Sequence, residues 1–172
     1  MAVNNYTPTR TNLLKLKQDL SFANLGYDLL DQKRNILVME LLNLVDQTVD
    51  YQNLVEEALK TAFVSLEEAV LKMGKMKVFC LSSTVHIDTG IKISGRKIMG
   101  VSLPVVETDF KERSPYFSPS GTHFFIDSSI VHFKEALKLM GRFAELKISV
   151  MRLALEVKKT IRKVNALEKI AI

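Results

Sequence analysis

The sequence predicts a mainly α fold: a long antiparallel two-helix coiled coil whose helices are joined by a short β-hairpin and loop. Three observations predict it. Apolar residues recur at alternating steps of three and four through both ends of the chain, the repeat of helices that share a seam. Seven glycines and four prolines in 172 residues are too few to break the chain into many short elements. Most of them also stand between the two repeats, with five glycines and three prolines in residues 74–127. The organisation that follows is an N-terminal helix over 1–73, a connector with a β-hairpin and loop over 74–127, and a C-terminal helix over 128–172.

The first helix has its start signal at Thr7-Pro8, where the hydroxyl caps and the proline occupies the first turn. Its seam positions are Leu13, Leu16, Leu20, Ala23, Tyr27, Leu30, Arg34, Leu37, Leu41, Leu44, Thr48, Tyr51, Val55, Ala58 and Ala62. Only Arg34 and Thr48 among them are polar, and a strand period of two cannot produce that pattern. Two readings of these polar seam residues stand: they fix helix register, or Arg34 snorkels to solvent. Some sixty helical residues at 1.5 Å rise span roughly 90 Å, so the expected particle is a rod.

In the connector, Val85 to Ile93 alternates in strand fashion around a turn, and Ile98 to Val106 supplies a second β-branched run. Lys111 to Thr122, with Ser114-Pro115, Ser118-Pro119 and Ser120-Gly121, reads as loop.

Helical periodicity returns after Asp127 or Ser128, either of which suits an N-cap. The stripe is Ile130, Phe133, Leu137, Met140, Ala144, Ile148, Met151 and Leu155, continued by Val157, Ile161, Val164 and Leu167. Two consecutive steps of four at Ala144 and Ile148 form a stutter, which locally straightens a left-handed supercoil. Neither helix can bury its stripe alone, so the two fold back on each other. With the turn near residue 100, paired positions sum to about 200, which sets Tyr51 near Ser149 or Val150 and Asp28 opposite Ile172. Leu13, Leu16, Leu20 and Ala23 then lack an intramolecular partner. Either they dock on another chain or the helix continues past Ile172.

The formal net charge is +5, unevenly spread. Residues 1–17 carry +3 and residues 142–172 carry +5, whereas residues 46–70 carry −5. Folded antiparallel, the molecule is basic at its free end and acidic toward the hairpin, a dipole that charged partners orient. The lysines lack aromatic interleaving and alternate with Glu145, Glu156 and Glu168, which argues against nucleic acid. No apolar run approaches the roughly twenty residues of a membrane span, and Met1 to Arg10 has no apolar core for a signal sequence.

No phosphate-binding loop is present, since Gly74-Lys75 has no glycine five residues before it. His86, His123 and His132 match no metal-ligand spacing, and His123 with Asp127 and His132 reads as a loop and a helix face. Cys80 is the only cysteine, which excludes an intramolecular disulfide. With nothing beside it to lower a thiol pKa, it reads as a buried or half-buried residue next to the β element. No catalytic site, cofactor or metal is expected.

The run Pro8-Thr9-Arg10-Thr11-Asn12-Leu13-Leu14-Lys15-Leu16-Lys17 continues through Leu20, Ala23, Gly26, Tyr27, Leu29, Leu30, Lys33 and Arg34. Ile98-Met99-Gly100-Val101 with Leu103-Pro104, and Arg162-Lys163-Val164-Asn165-Ala166-Leu167-Glu168, follow in order. Together these blocks resemble the D subunit of the A-type/V-type rotary ATPases, the central-stalk family. The resemblance implies a non-catalytic rotor shaft that transmits torque between a ring of catalytic A and B subunits and a membrane rotor moving protons or sodium ions. It implies two further partners, the F subunit of such complexes and an adaptor to the membrane rotor, and a cytoplasmic place peripheral to the membrane. It also implies more helix after the Asn-Ala-Leu-Glu block, in keeping with the unpaired Leu13 to Ala23 stripe.

On this reading Arg10, Lys15, Lys158, Lys159, Arg162 and Lys163 contact the ring, and Ile98, Met99 and Val101 contact the F subunit. The seam that carries torque is Leu13, Leu16, Leu20, Leu30, Leu37, Leu41 and Leu44 against Leu137, Met140, Ile148, Met151 and Leu155. The rival reading is a homo-oligomeric coiled-coil scaffold or tether unrelated to ATPases.

Overall fold

A computed structural model describes residues 7–112 and 115–170. The elements run α1 (Arg10–Met73), α2 (Lys75–Ser82), β1 (Ile87–Ile98), β2 (Val101–Glu112) and α3 (Phe124–Ile170). Two long helices with an antiparallel two-stranded hairpin between them is the expected architecture. Ser114 of the expected loop, and the expected pairing of Asp28 with Ile172, involve positions outside the described residues.

Capping at the start of α1 differs from expectation by two residues. The Asn12 amide donates to Thr9 Oγ1 at 3.3 Å and the Leu13 amide to the Thr9 carbonyl at 3.1 Å, so Thr9 is the cap and Pro8 precedes the helix. Thr7 stays engaged, because Asn12 Nδ2 donates to its carbonyl and its hydroxyl, each at 2.9 Å. The polar seam residues bond within their own helix. Arg34 pairs with Asp31 at 2.6 Å, and Thr48 Oγ1 donates to the Leu44 carbonyl at 2.6 Å, so a local partner takes the place of a register-setting one across the seam.

The chain divides into two compact units, and α1 and α3 each contribute to both. In the unit of residues 43–151, Leu44, Val55, Ala62 and Ala69 of α1 and Ile126, Ala136 and Leu146 of α3 are buried. Phe63 meets Phe133 edge to face at 5.4 Å between ring centroids, and Ser65 Oγ lies 3.1 Å from His132 Nδ1. In the other unit, built from residues up to 42 and from 152 onward, Leu37 and Leu153 are fully buried beside Val157, Thr160 and Val164. There Lys33 reaches Glu156 at 3.6 Å. Each fully buried leucine contributes about 1.5–3 kcal/mol through apolar surface removed from water.

Four expectations need correction. The pairs meet at position sums of 197 (Ser65 with His132), 196 (Phe63 with Phe133) and 189 (Lys33 with Glu156), below the expected 200. The helix ends Met73 and Phe124, with a position sum of 197, agree with the first two of these pairs. A helix not anticipated, α2, fills Lys75–Ser82, and α3 begins at Phe124, before the expected Asp127 or Ser128 cap.

The hairpin turn lies at Met99-Gly100, near the expected residue 100, whereas the turn expected within Val85 to Ile93 is replaced by continuous strand from Ile87 onward, and β2 runs to Glu112, into the segment read as loop. Met99 at φ 47° and Gly100 at φ 83° give both turn residues the left-handed backbone of a type I′ turn.

The seam of α3 also sits in another phase. Its buried stripe includes Ser129, Ala136, Ser149, Leu153 and Thr160, whereas Leu137, Met140, Ile148, Met151 and Leu155 are exposed. Small side chains face inward because they let backbones approach, and the hydroxyls of Ser129 and Thr160 are satisfied by the carbonyls of Phe125 and Glu156, each at 2.9 Å. On α1, Leu37 and Leu44 are buried, Leu30 and Leu41 half-buried, and Leu13, Leu16 and Leu20 exposed.

Candidate functional site

Within the unit of residues 43–151, the hairpin is fastened to α3 by three contacts, those of Val106, Thr108 and Phe110. The β1–β2 ladder pairs twelve residues of each strand without a bulge, from Ile98↔Val101 to Ile87↔Glu112. Val106 of β2 turns its amide away from β1 and donates it to Glu145 Oε2 of α3 at 3.0 Å. Glu145 is buried and is also paired with Arg142 one turn earlier in α3, so its carboxylate is held by two charge-assisted hydrogen bonds.

Gly141 lies beside Thr108 so closely that an added Cβ would stand 2.7 Å from Thr108 Cγ2. Lys138 places its ammonium 5.7 Å from the centre of the Phe110 ring. Leu103 is fully buried. β2 is thus closed by α3 along one edge, and the outer edge of β1 is open, with only its end residues half-buried.

The same unit holds an apolar cavity of about 320 Å³, lined by Leu66, Val78, Leu81, Val85, Ile87, Ile126, Ile130 and Phe133 with Ser82 and Ser129. No titratable side chain lines it, and the hydroxyls of Ser82 and Ser129 donate to the backbone carbonyls of Phe79 and Phe125. Met76 and Phe79 of α2 and Leu71 of α1 are exposed.

The residues expected at the ring, Arg10, Lys15, Lys158, Lys159, Arg162 and Lys163, are all exposed in the unit that contains both helix ends. Leu13, Leu14, Leu16, Leu20, Leu25 and Leu29 are exposed in that unit too, so basic and apolar side chains share it. Ile98, Met99 and Val101 gather at the hairpin turn, with Met99 exposed and its neighbours half-buried. Cys80 is exposed on α2, not buried or half-buried, because β1 starts beyond Ser82 and leaves that face of α2 uncovered. His132 bonds Ser65, and His86 and His123 are exposed. Among the described residues no three His, Cys, Asp or Glu side chains converge on a possible metal position.

The geometry offers exposed surfaces and a hairpin fastened to α3, and comparison with known proteins places the chain. The sequence matches the family described as the D subunit of ATP synthase over residues 12–172, which takes in both long helices and the hairpin. The chain belongs to the family of ATP synthase D subunits.

Known D subunits agree with it at a third of positions or slightly more. It is 35% identical over 168 residues to the A-type ATP synthase D subunit of Thermococcus sibiricus, covering 96% of this chain and 78% of that protein. It is 37% identical over 166 residues to the V-type ATP synthase D subunit of Thermotoga neapolitana, covering 96% and 81%. For the A-type ATP synthase D subunit of Methanobrevibacter smithii the identity is 34% over 173 residues, covering 99% and 75%. Among the described residues no helix is long and apolar enough to cross a membrane.

Glu145, Gly141 and Leu103 were not singled out from the sequence as functional. The available signals were a lone glycine inside a helical repeat and an acid next to an apolar stripe, both of which mark a close neighbour.

Proposed function

We propose that this chain is the central-stalk rotor of an A/V-type ATPase, carrying torque between the A–B catalytic ring and a membrane rotor that moves protons or sodium ions. The observation that carries the reading is the match to ATP synthase D subunits, which spans both long helices and the hairpin. The buried α1 residues Leu37, Leu44, Val55, Ala62 and Ala69, spaced at sevens and one eleven, support it as well. Interlocked side chains at that spacing resist slip of one helix along the other, and a shaft that slips transmits no torque. The chemistry stays on the partners, and the chain contributes shape and stiffness.

In this role, Arg10, Lys15, Lys158, Lys159, Arg162 and Lys163 face the ring, and exposed leucines from Leu13 to Leu29 add apolar contact there. The hairpin turn at Ile98, Met99 and Val101 meets the F subunit. An adaptor joins the opposite end to the membrane rotor, which makes the chain a cytoplasmic subunit peripheral to the membrane. In domain terms, residues 1–73 and 128–172 form the shaft and residues 74–127 its foot. Co-expression with the A, B and F subunits tests the reading. The expected result is one copy of this chain and one of F on each A–B ring, and a chain that self-associates and leaves the ring empty contradicts it.

A further inference from the structure

We infer that the outer edge of β1 is a strand-addition site for an extended segment of another subunit, one that is apolar on one face and acidic on the other. The inference rests on the proposed function only in taking the chain to work inside a multisubunit complex.

The direction of the open backbone groups follows from one hydrogen bond. Val106 donates its amide to Glu145, away from β1, so the pair Ile93↔Val106 exchanges no ladder bonds. Alternation then sends the amides and carbonyls of Thr89, Ile91, Ile93 and Gly95 outward from β1, while Lys92, Ser94 and Arg96 bond to β2. The two-residue turn agrees, because it requires Ile98↔Val101 to be a bonded pair. The same protein that closes the edge of β2 with a buried carboxylate leaves twelve residues of β1 without a neighbour strand on their outer side among the described residues.

Proteins usually blunt such an edge with proline, a bulge, a very short strand or charged side chains. β1 is twelve residues long, contains no proline and pairs without a bulge; of these devices it carries only charge, in Asp88, Lys92, Arg96 and Lys97, and the basic excess selects an acidic partner strand. Gly90 and Gly95 keep side chains out of the way of an incoming backbone. Ile91 and Ile93 lie on one face, 61% and 72% exposed, and give an added strand apolar surface to cover.

Charge sets the other face. Lys92 is paired with Asp109 at 3.4 Å, but Arg96, on the same face, has no ion pair among the described residues. A strand carrying carboxylates opposite Lys92 and Arg96, and apolar side chains opposite Ile91 and Ile93, satisfies both faces at once.

Amide-resolved hydrogen exchange on the isolated chain and on the assembled A–B–F complex tests this. In the isolated chain, Lys92, Ser94 and Arg96 exchange slowly and Ile91, Ile93 and Gly95 fast; in the complex, the second set slows by about tenfold or more. Ile93→Pro removes only an outward amide, so the ladder set stays protected, while the gain at Ile91 and Gly95 on assembly is lost. Assembly with Ile91, Ile93 and Gly95 still fast overturns the inference alone. Protection that survives Ile93→Pro overturns it as well, as does protection of these amides in a concentration-dependent dimer of the isolated chain. A chain that never joins the complex overturns the proposed function, and the inference with it.

Discussion

The carboxylate of Glu145, buried on α3, accepts the amide of Val106, which the β1–β2 ladder leaves facing outward, at 3.0 Å. A buried amide without a partner is costly, so this contact both satisfies the edge of β2 and holds the hairpin against the helix. Glu145→Ala removes the acceptor from Val106 and the partner from Arg142. The expected loss is about 1–3 kcal/mol in urea unfolding, with Glu145→Gln losing less because an amide oxygen still accepts. Equal effects of the two substitutions would show that the hydrogen bond is not what the site contributes.

Gly141 tests the same seat by shape. Glycine to alanine inside a helix normally gains about 0.5–1 kcal/mol, and Gly26→Ala, with nothing within 4 Å of the new Cβ, should show that gain. Gly141→Ala should not, because its Cβ falls 2.7 Å from Thr108 Cγ2. Combining it with Thr108→Ser, which deletes that methyl, restores the gain. A double-mutant cycle with coupling of about 0.5 kcal/mol or more is the expected outcome, and simple additivity would contradict the close contact.

The phase of α3 is open to an equally direct comparison. Leu153 is fully buried and Leu155, two residues on, is 59% exposed. Leu153→Ala should cost about 2–5 kcal/mol by thermal or urea unfolding, and Leu155→Ala less than about 1 kcal/mol. The reverse order would return the seam to the large apolar stripe.

A charge reversal addresses the basic residues near the end of α3. Changing Lys158, Lys159, Arg162 and Lys163 together to Glu leaves folding nearly unchanged, since all four are exposed. It should lower the rate of capture by the A–B ring, and raising salt should slow the parent chain toward the variant. Capture that is insensitive to both would remove these residues from the ring contact.

The long helices were legible because a repeat of three and four sustained over many turns has no other explanation, and Leu37, Leu44, Val55 and Ala62 do lie buried on α1. The phase of α3 was not, because size misled. Leu137, Met140, Ile148, Met151 and Leu155 are bulky and apolar yet exposed, while the buried face sets Leu146 and Leu153 among Ala136, Ser149 and Thr160, whose value lies in being small.

The reversal near residue 100 was legible, but the turn read within Val85 to Ile93 is strand: Thr89-Gly90 resembles a turn in composition yet lies inside β1, while Met99 carries a left-handed backbone that its residue type disfavours. Neither Glu145 nor Gly141 could be assigned without knowing that β2 lies against α3. Their roles are tertiary, and no local pattern contains them.

The measurement that bears most directly on the rotor reading uses the exposed lone thiol of Cys80, which takes a bead without any substitution. With the A–B ring fixed to glass and ATP supplied, the account predicts unidirectional turning of the bead, at a rate that rises with ATP. A ring that hydrolyses ATP with this chain bound while the bead only fluctuates would contradict it.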